Sequence, residues 1–244
     1  MNVLLYDWGP SPFCLKVRAI LDHKRIAFRR VNVLGKPLLD LRRRGKIGKV
    51  PALEIDGQLV CDSTDIALAL EARVPQPAIL PADARGRALC HAIEEWADES
   101  IYFVGLYFQW IDPAGLELVP RAFGRGPLGK VAFELYTRRI RAQVRGQGTA
   151  RKPDEHVRAD LERHLDHASA LVSPGPFALG AAPMLCDFAL MSQLVYLART
   201  PHGGPRVEAR PALTAYLAAM RALRAQGTAA TDTTTPGIAT ATAP

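Results

Sequence analysis

The chain has 244 residues, 48% of them apolar and 23% charged, enough to bury one or two ordinary cores and unlike a fibrous or wholly disordered protein. Its net charge of +7 is uneven: residues 1–80 carry 13 Lys/Arg against 8 Asp/Glu, and the remainder 18 against 16. The densest basic run is Arg42, Arg43, Arg44, Lys46 and Lys49; with no interleaved aromatic residue and no reader motif, it describes a solvated face or a small-anion attractor, and nucleic acid is not an expected partner.

Four widely spaced cysteines (Cys14, Cys61, Cys90, Cys186) form no CxxC pair, which argues against a disulfide framework or a structural zinc site and for a reducing compartment. No basic leader with an apolar run opens the chain, and no segment offers ~18 uncharged apolar residues. A cytoplasmic protein without membrane attachment is expected.

In chain order, residues 2–6 predict a strand and 12–23 a helix with Val17, Ile20 and Leu21 on one face. Residues 28–33 alternate as a strand, and 37–44 form a basic helical stretch. The run from Val50 through Ile55, the turn Asp56-Gly57 and the run from Gln58 to Cys61 predict a hairpin. Asp62-Ser63-Thr64 then caps a helix ending near Pro75, with Ser63 as the expected acceptor for an end amide. The order is β-α-β-α-β-β-α over residues 1–75. Three prolines between Val74 and Pro81 mark a linker, set at 76–83, and from 84 to 225 every strong pattern is helical: 84–111, 128–146, 154–172, 187–199 and 211–225. The Thr-, Ala- and Pro-rich tail, 226–244, is too poor in large apolar residues to offset chain entropy and is expected to be disordered.

Between the first strand and helix lies Tyr6-Asp-Trp-Gly-Pro-Ser11-Pro-Phe13-Cys14, which sets a hydroxyl and a thiol at a helix start, where end amides and the macrodipole favour a thiolate. Ser11 before Pro12 is by default a helix cap. Trp8 through Phe13, followed by Lys16-Val-Arg18, resembles the plant tau-type signature of the cytosolic glutathione transferase family. The predicted α/β thioredoxin-like domain, proline-rich linker and all-α second domain resemble that family over residues 1 to about 225. Lys49-Val50-Pro51 resembles its cis-proline segment, and Asp62-Ser63 its acidic-serine pair, more often Glu-Ser.

The resemblance implies that Ser11 is the catalytic residue, donating to the glutathione sulfur, with Phe13 beside it. Val50 would pair its backbone with the cysteinyl part, Pro51 would be cis, and Asp62 and Ser63 would hold the γ-glutamyl end. Lys49, with Lys36 or Lys46, would meet the glycyl carboxylate. No metal or resident cofactor is implied; glutathione is a co-substrate, the second substrate a small hydrophobic electrophile, and the state a homodimer. Charge supports these roles separately: glutathione has a carboxylate at each end, which suits lysines at one end and helix-terminal donors at the other.

Ser11-Pro-Phe-Cys14 also looks like a glutaredoxin-type CxxC with its first cysteine replaced. That leaves a thiol transferase using Cys14, and a non-catalytic ligand- or protein-binding module, as alternatives to conjugation. In the second domain Trp96, Phe103, Tyr107 and Trp110 form a stripe whose default role is core packing. The resemblance places this helix beside the electrophile, which makes Tyr107 and Trp110 candidate contacts. Leu179 to Asp187 resembles the family's motif before its core helix, with Met184 where a hydroxyl cap is usual; loss of that bond should cost about 1 kcal/mol. His164 and His167 lie three apart without a third ligand, the pattern of a solvated face.

Overall fold

The computed structural model describes residues 1–33, 36–45, 49–119 and 126–228, with only the backbone for 36–38, 42, 45, 128 and 226–228. The chain divides into two compact units, 1–79 together with residues from Arg221 onward, and 80–220.

The first unit runs β1 (Val3–Asp7), α1 (Pro12–His23), β2 (Arg29–Asn32), α2 (Lys36–Gly45), β3 (Ala52–Ile55), β4 (Gln58–Cys61) and α3 (Ser63–Arg73). Its sheet has the order β2-β1-β3-β4, with β1 and β2 parallel and the other pairs antiparallel. The period of two divides the residues between its faces. Tyr6 and Ala52, with Leu4, Trp8, Val50 and Leu59, pack around Leu41 of α2, while Val3, Leu5, Leu53 and Ile55 of the other face are buried. Helix α1 buries Cys14, Val17, Ile20 and Leu21 completely and packs on α3. Asp56 and Gly57 have φ of +48° and +86°, the two left-handed residues that a tight hairpin turn requires.

The segment after α3 is fastened: Lys24 Nζ donates to Glu71 Oε2 (2.6 Å), Val74 O (2.6 Å) and Pro77 O (2.9 Å), and Ile79 N donates to Glu71. Near the chain's end, Arg224 Nε donates to Asp22 Oδ2 at 3.3 Å. Burial raises the pKa of Asp22, and the arginine offsets this in part.

The second unit contains α4 (Ala84–Glu95), a π-helical stretch (Trp96–Ile101), α5 (Tyr102–Trp110), α6 (Pro113–Glu117), α7 (Pro127–Gln147), α8 (Asp154–Val172), α9 (Leu185–Ala198), α10 (Gly203–Glu208) and α11 (Pro211–Thr228), whose last turns group with the first unit. The continuous helix expected over 84–111 is thus three pieces, because the π-turn inserts extra residues and rotates the later apolar stripe relative to the earlier one. The short helices α6 and α10 fall in segments without a periodic pattern long enough to announce them. Helix α9 is apolar all round and nearly wholly buried, the mark of a central helix. Asp187 secures its start by accepting from Met184 N (2.9 Å) and Ala178 N (2.8 Å), and no side chain at position 184 caps the helix. Residues 229–244 of the expected disordered tail lie outside the described residues.

Candidate functional site

The strand register brings the candidate residues of the first unit together. Tyr6 lies opposite Ala52, and Ala52 opposite Cys61, so the segments beyond them (Asp7 to Ser11, Val50-Pro51, and Asp62-Ser63) leave the sheet at one end. Trp8, Val50 and Cys61 pack on one apolar cluster there. The Val50–Pro51 peptide bond is cis.

Ser11 is the residue before α1, where Pro12 supplies a preset φ and lacks the amide that a first turn would leave unpaired. Ser11 is 7% exposed, and its Oγ accepts from Cys14 N at 3.3 Å, a long bond that leaves the hydroxyl proton uncommitted to that amide. Phe13 is half-buried on the first turn of α1. Cys14 is fully buried, and its Sγ accepts from Trp8 N at 3.4 Å. Burial first, then the Asp7 carboxylate, pushes its thiol up to about 12, while the Trp8 amide, the Ser11 hydroxyl and Arg18 pull the other way. The thiolate that a mixed-disulfide nucleophile needs is therefore disfavoured at Cys14 by many-fold at neutral pH.

Asp7 continues β1 into this loop and is 2% exposed. Arg18 Nη1 meets both its oxygens (2.7 and 2.8 Å), Arg30 Nε meets Oδ2 at 2.7 Å, and Arg18 Nη2 also reaches Gly9 O at 3.4 Å. Such a charge-paired buried carboxylate fixes the loop that carries Ser11.

Asp62, rather than Ser63, caps α3: its Oδ1 accepts from Thr64 N at 2.9 Å. Its φ of +81° lies in a region that costs a non-glycine residue on the order of 1–3 kcal/mol. Ser63 is the first helical residue and is 5% exposed. Sequence reasoning missed its neighbour Lys16, which is fully buried and donates from Nζ to Ser63 Oγ and Thr64 Oγ1, each at 3.4 Å. The spacing held a signal: Lys16 stands three residues after Phe13 and four before Ile20, on the apolar stripe of α1 rather than its wet side. Lys49 is exposed immediately before Val50. The side chain of Lys36 and the whole of Lys46 lie outside the described residues.

Tyr107 and Trp110 both sit inside the helical unit. Tyr107 is 4% exposed with its hydroxyl on Asp154, and burial, then this carboxylate, pushes the phenol up to about 12. Trp110 Nε1 donates to Tyr196 Oη at 3.0 Å, and its ring packs edge-on against Tyr136. Their polar tips are thus engaged by partners within the helical unit, and their rings are buried, the default packing role of the stripe. His164 accepts from Trp96 Nε1 at 3.1 Å. Among the described residues no three His, Cys, Asp or Glu side chains gather as a metal site, and no described helix is long and apolar enough to cross a membrane.

A sheet of this order with helices α1 to α3, followed by a helical unit, defines a thioredoxin-like domain joined to an all-α domain. Residues 5–78 match the glutathione S-transferase N-terminal domain and residues 107–219 the C-terminal domain, and the chain belongs to the glutathione S-transferase family. It is similar to "Probable maleylacetoacetate isomerase 1" of Drosophila melanogaster, 37% identical over 99 residues, or 38% of this chain and 40% of that protein. It is also similar to "Protein LigF" of Sphingobium sp., 33% identical over 116 residues, or 45% of this chain and 42% of that protein. These alignments thus span about two fifths of each relative's length. The solved structure of beta-etherase LigF from Sphingobium sp. strain SYK-6 shares the fold, with a TM-score of 0.68 at 21% identity over 91% of this chain and 98% of that one. Maleylacetoacetate isomerase from Anaeromyxobacter dehalogenans, solved with bound dicarboxyethyl glutathione and citrate, gives a TM-score of 0.59 at 26% identity over 94% of both chains.

Proposed function

We propose that the chain is a glutathione-dependent enzyme in which the Ser11 hydroxyl donates to the glutathione sulfur, favours its thiolate and so prepares attack on a small hydrophobic electrophile. What supports this above all is the gathering of Ser11, the cis Val50–Pro51 peptide and Asp62-Ser63 at one end of the first unit's sheet. The Ser11 oxygen keeps the Cys14 amide while its proton turns to the ligand, and the end of α1 adds its dipole. Lowering the ligand's thiol pKa by ~2 units corresponds to about 2.7 kcal/mol of preference for the thiolate, enough to populate it near neutrality. No protein base is then required.

In the same proposal Val50 pairs its backbone with the cysteinyl part, Asp62 and Ser63 take the γ-glutamyl end, and Lys49, with Lys36, meets the glycyl carboxylate. Phe13 walls the sulfur. Tyr107 and Trp110 serve the electrophile only by stiffening the helices that carry them, because their side chains are buried. The thiol-transfer alternative through Cys14 is disfavoured by its burial and raised pKa. Homodimerisation and a cytoplasmic location complete the proposal.

The names of the similar proteins favour a second outcome for the same thiolate: addition to an electron-poor double bond followed by expulsion, so that an isomer leaves and glutathione is regenerated. One assay separates the outcomes, because conjugation consumes glutathione and isomerisation does not. Calorimetry with glutathione and turnover of a generic aryl halide test the whole. Binding, with turnover lowered by Ser11→Ala, is expected. Failure to bind glutathione, or unchanged turnover in Ser11→Ala, overturns the Ser11 mechanism.

A further inference from the structure

Two nucleophiles that the mechanism above does not use lie together in the helical unit. Cys90 of α4 and Cys186 of α9 are both wholly buried where these helices pack on one another. The Cys186 amide belongs to the first turn of α9, whose amides have no acceptor in their own helix. It donates to Cys90 Sγ at 3.4 Å, and the Cys186 thiol donates to the same sulfur. Negative charge on Cys90 is thus met by an amide and by the positive end of α9. The Cys186 thiol also has Asp187 Oδ2 as a second acceptor, at 3.9 Å.

The cysteines differ accordingly. The Cys186 thiol and amide hold the Cys90 proton below the ordinary thiol value, against burial and the carboxylates of Glu94 and Asp187. Contact with Cys90, then burial and Asp187, push the Cys186 thiol up. Burial, helped by Asp7 and Asp62 respectively, also raises Cys14 and Cys61. A sulfur prepared as thiolate beside a second, protonated thiol is the arrangement in which the first is oxidised and the second resolves it. Neither sulfur meets bulk water, so the oxidant has to be nearly as small as water, which a peroxide is and a disulfide of two tripeptides is not.

We propose that Cys90 and Cys186 are a peroxide-responsive dithiol whose reversible disulfide ties α4 to the start of α9. The Cys90 sulfur attacks one peroxide oxygen and the O–O bond breaks. A sulfenic acid forms, and the other oxygen leaves as hydroxide, which takes the proton given up by Cys90 and becomes water. The Cys186 sulfur then attacks the Cys90 sulfur and the S–O bond breaks. The departing hydroxyl takes the Cys186 proton and leaves as a second water. Both sulfurs are oxidised and both peroxide oxygens reduced.

The test exposes the folded, reduced full chain to a small excess of hydrogen peroxide, counts thiols after unfolding, and places any bond by a peptide map without reductant. Thiols should fall from four to two, with a Cys90–Cys186 disulfide that dithiothreitol reverses. Dimedone, which traps sulfenic acids, gives a second reading. It should label Cys90 in Cys186→Ser, where nothing resolves the intermediate, and leave Cys186 unlabelled in Cys90→Ser. Two cysteines that only fill the core would give neither the bond nor this asymmetry. If either variant does not fold, the map of the unaltered chain decides alone. Four surviving thiols, or oxidation confined to Cys14 or Cys61, overturns the proposal, and labelling of Cys186 in place of Cys90 overturns the assignment of roles.

Discussion

Two helix starts in this molecule use their caps differently. At α9 the Asp187 carboxylate is fully buried and gives one oxygen to Met184 N and the other to Ala178 N, both shorter than 3 Å. At α1 the Ser11 hydroxyl makes one long bond to Cys14 N and retains a proton. The first cap is spent on holding the backbone, and the second is incompletely used. A helix start that must also receive a ligand has to leave some bonding capacity unfilled, whereas one that only has to fold does best by leaving none.

That contrast breaks most sharply at α9. Asp187→Ala strands two part-buried amides at once and should cost about 2–4 kcal/mol of stability, read by denaturant unfolding. Ser11→Ala should show the converse: kcat/KM for the aryl halide falls about a hundredfold, roughly 2.7 kcal/mol, while stability falls by no more than about 1 kcal/mol. A stability loss as large as that of Asp187→Ala would make Ser11 an ordinary cap. Met184→Ser adds the missing hydroxyl at α9 and should stabilise by about 1 kcal/mol with no change in turnover.

The last effect is alkaline. The folded chain holds the Cys14 proton up to about 12, above the ordinary thiol value of 9.0, so the unfolded chain loses it first as pH rises. Stability from this group is complete below the ordinary value and drains away between the two values. Thermal melts from pH 8 upward should therefore fall less steeply in Cys14→Ala than in the unaltered chain, and parallel slopes would contradict the burial of the free thiol.

Much of the first unit was legible because its signals are local: a short apolar run in β1, alternation in β2, Asp56-Gly57 between two apolar runs, Pro12 at a helix start. The cis bond at Pro51 followed from resemblance alone, since a trans proline opening an edge strand reads the same in sequence. Ser63 was expected as the cap and Asp62 holds that place, because either residue type suits it and only the backbone's left-handed turn at 62 decides between them. Lys16 was illegible for a different reason. Its spacing placed it on the buried face, but a charge on that face is tolerable only with partners, and Ser63 of α3, one of them, is forty-seven residues away in sequence. In the helical unit the periodicity of 84–111 ran correctly to Trp96 and then slipped, because a π-turn changes the phase of a pattern without altering its composition. The aromatic stripe was seen, but which way it faces depends on that phase.

The Arg224–Asp22 contact has a consequence for anyone who would study the first unit by itself. That unit is not continuous in sequence: its wholly interior carboxylate at position 22 draws its guanidinium from a stretch more than two hundred residues later. A fragment ending at residue 79 would keep every strand and yet leave an ionised group without its counter-charge. Such a piece should gain a proton from solvent or loosen around α1, so that what was assayed would no longer be the native half of the protein.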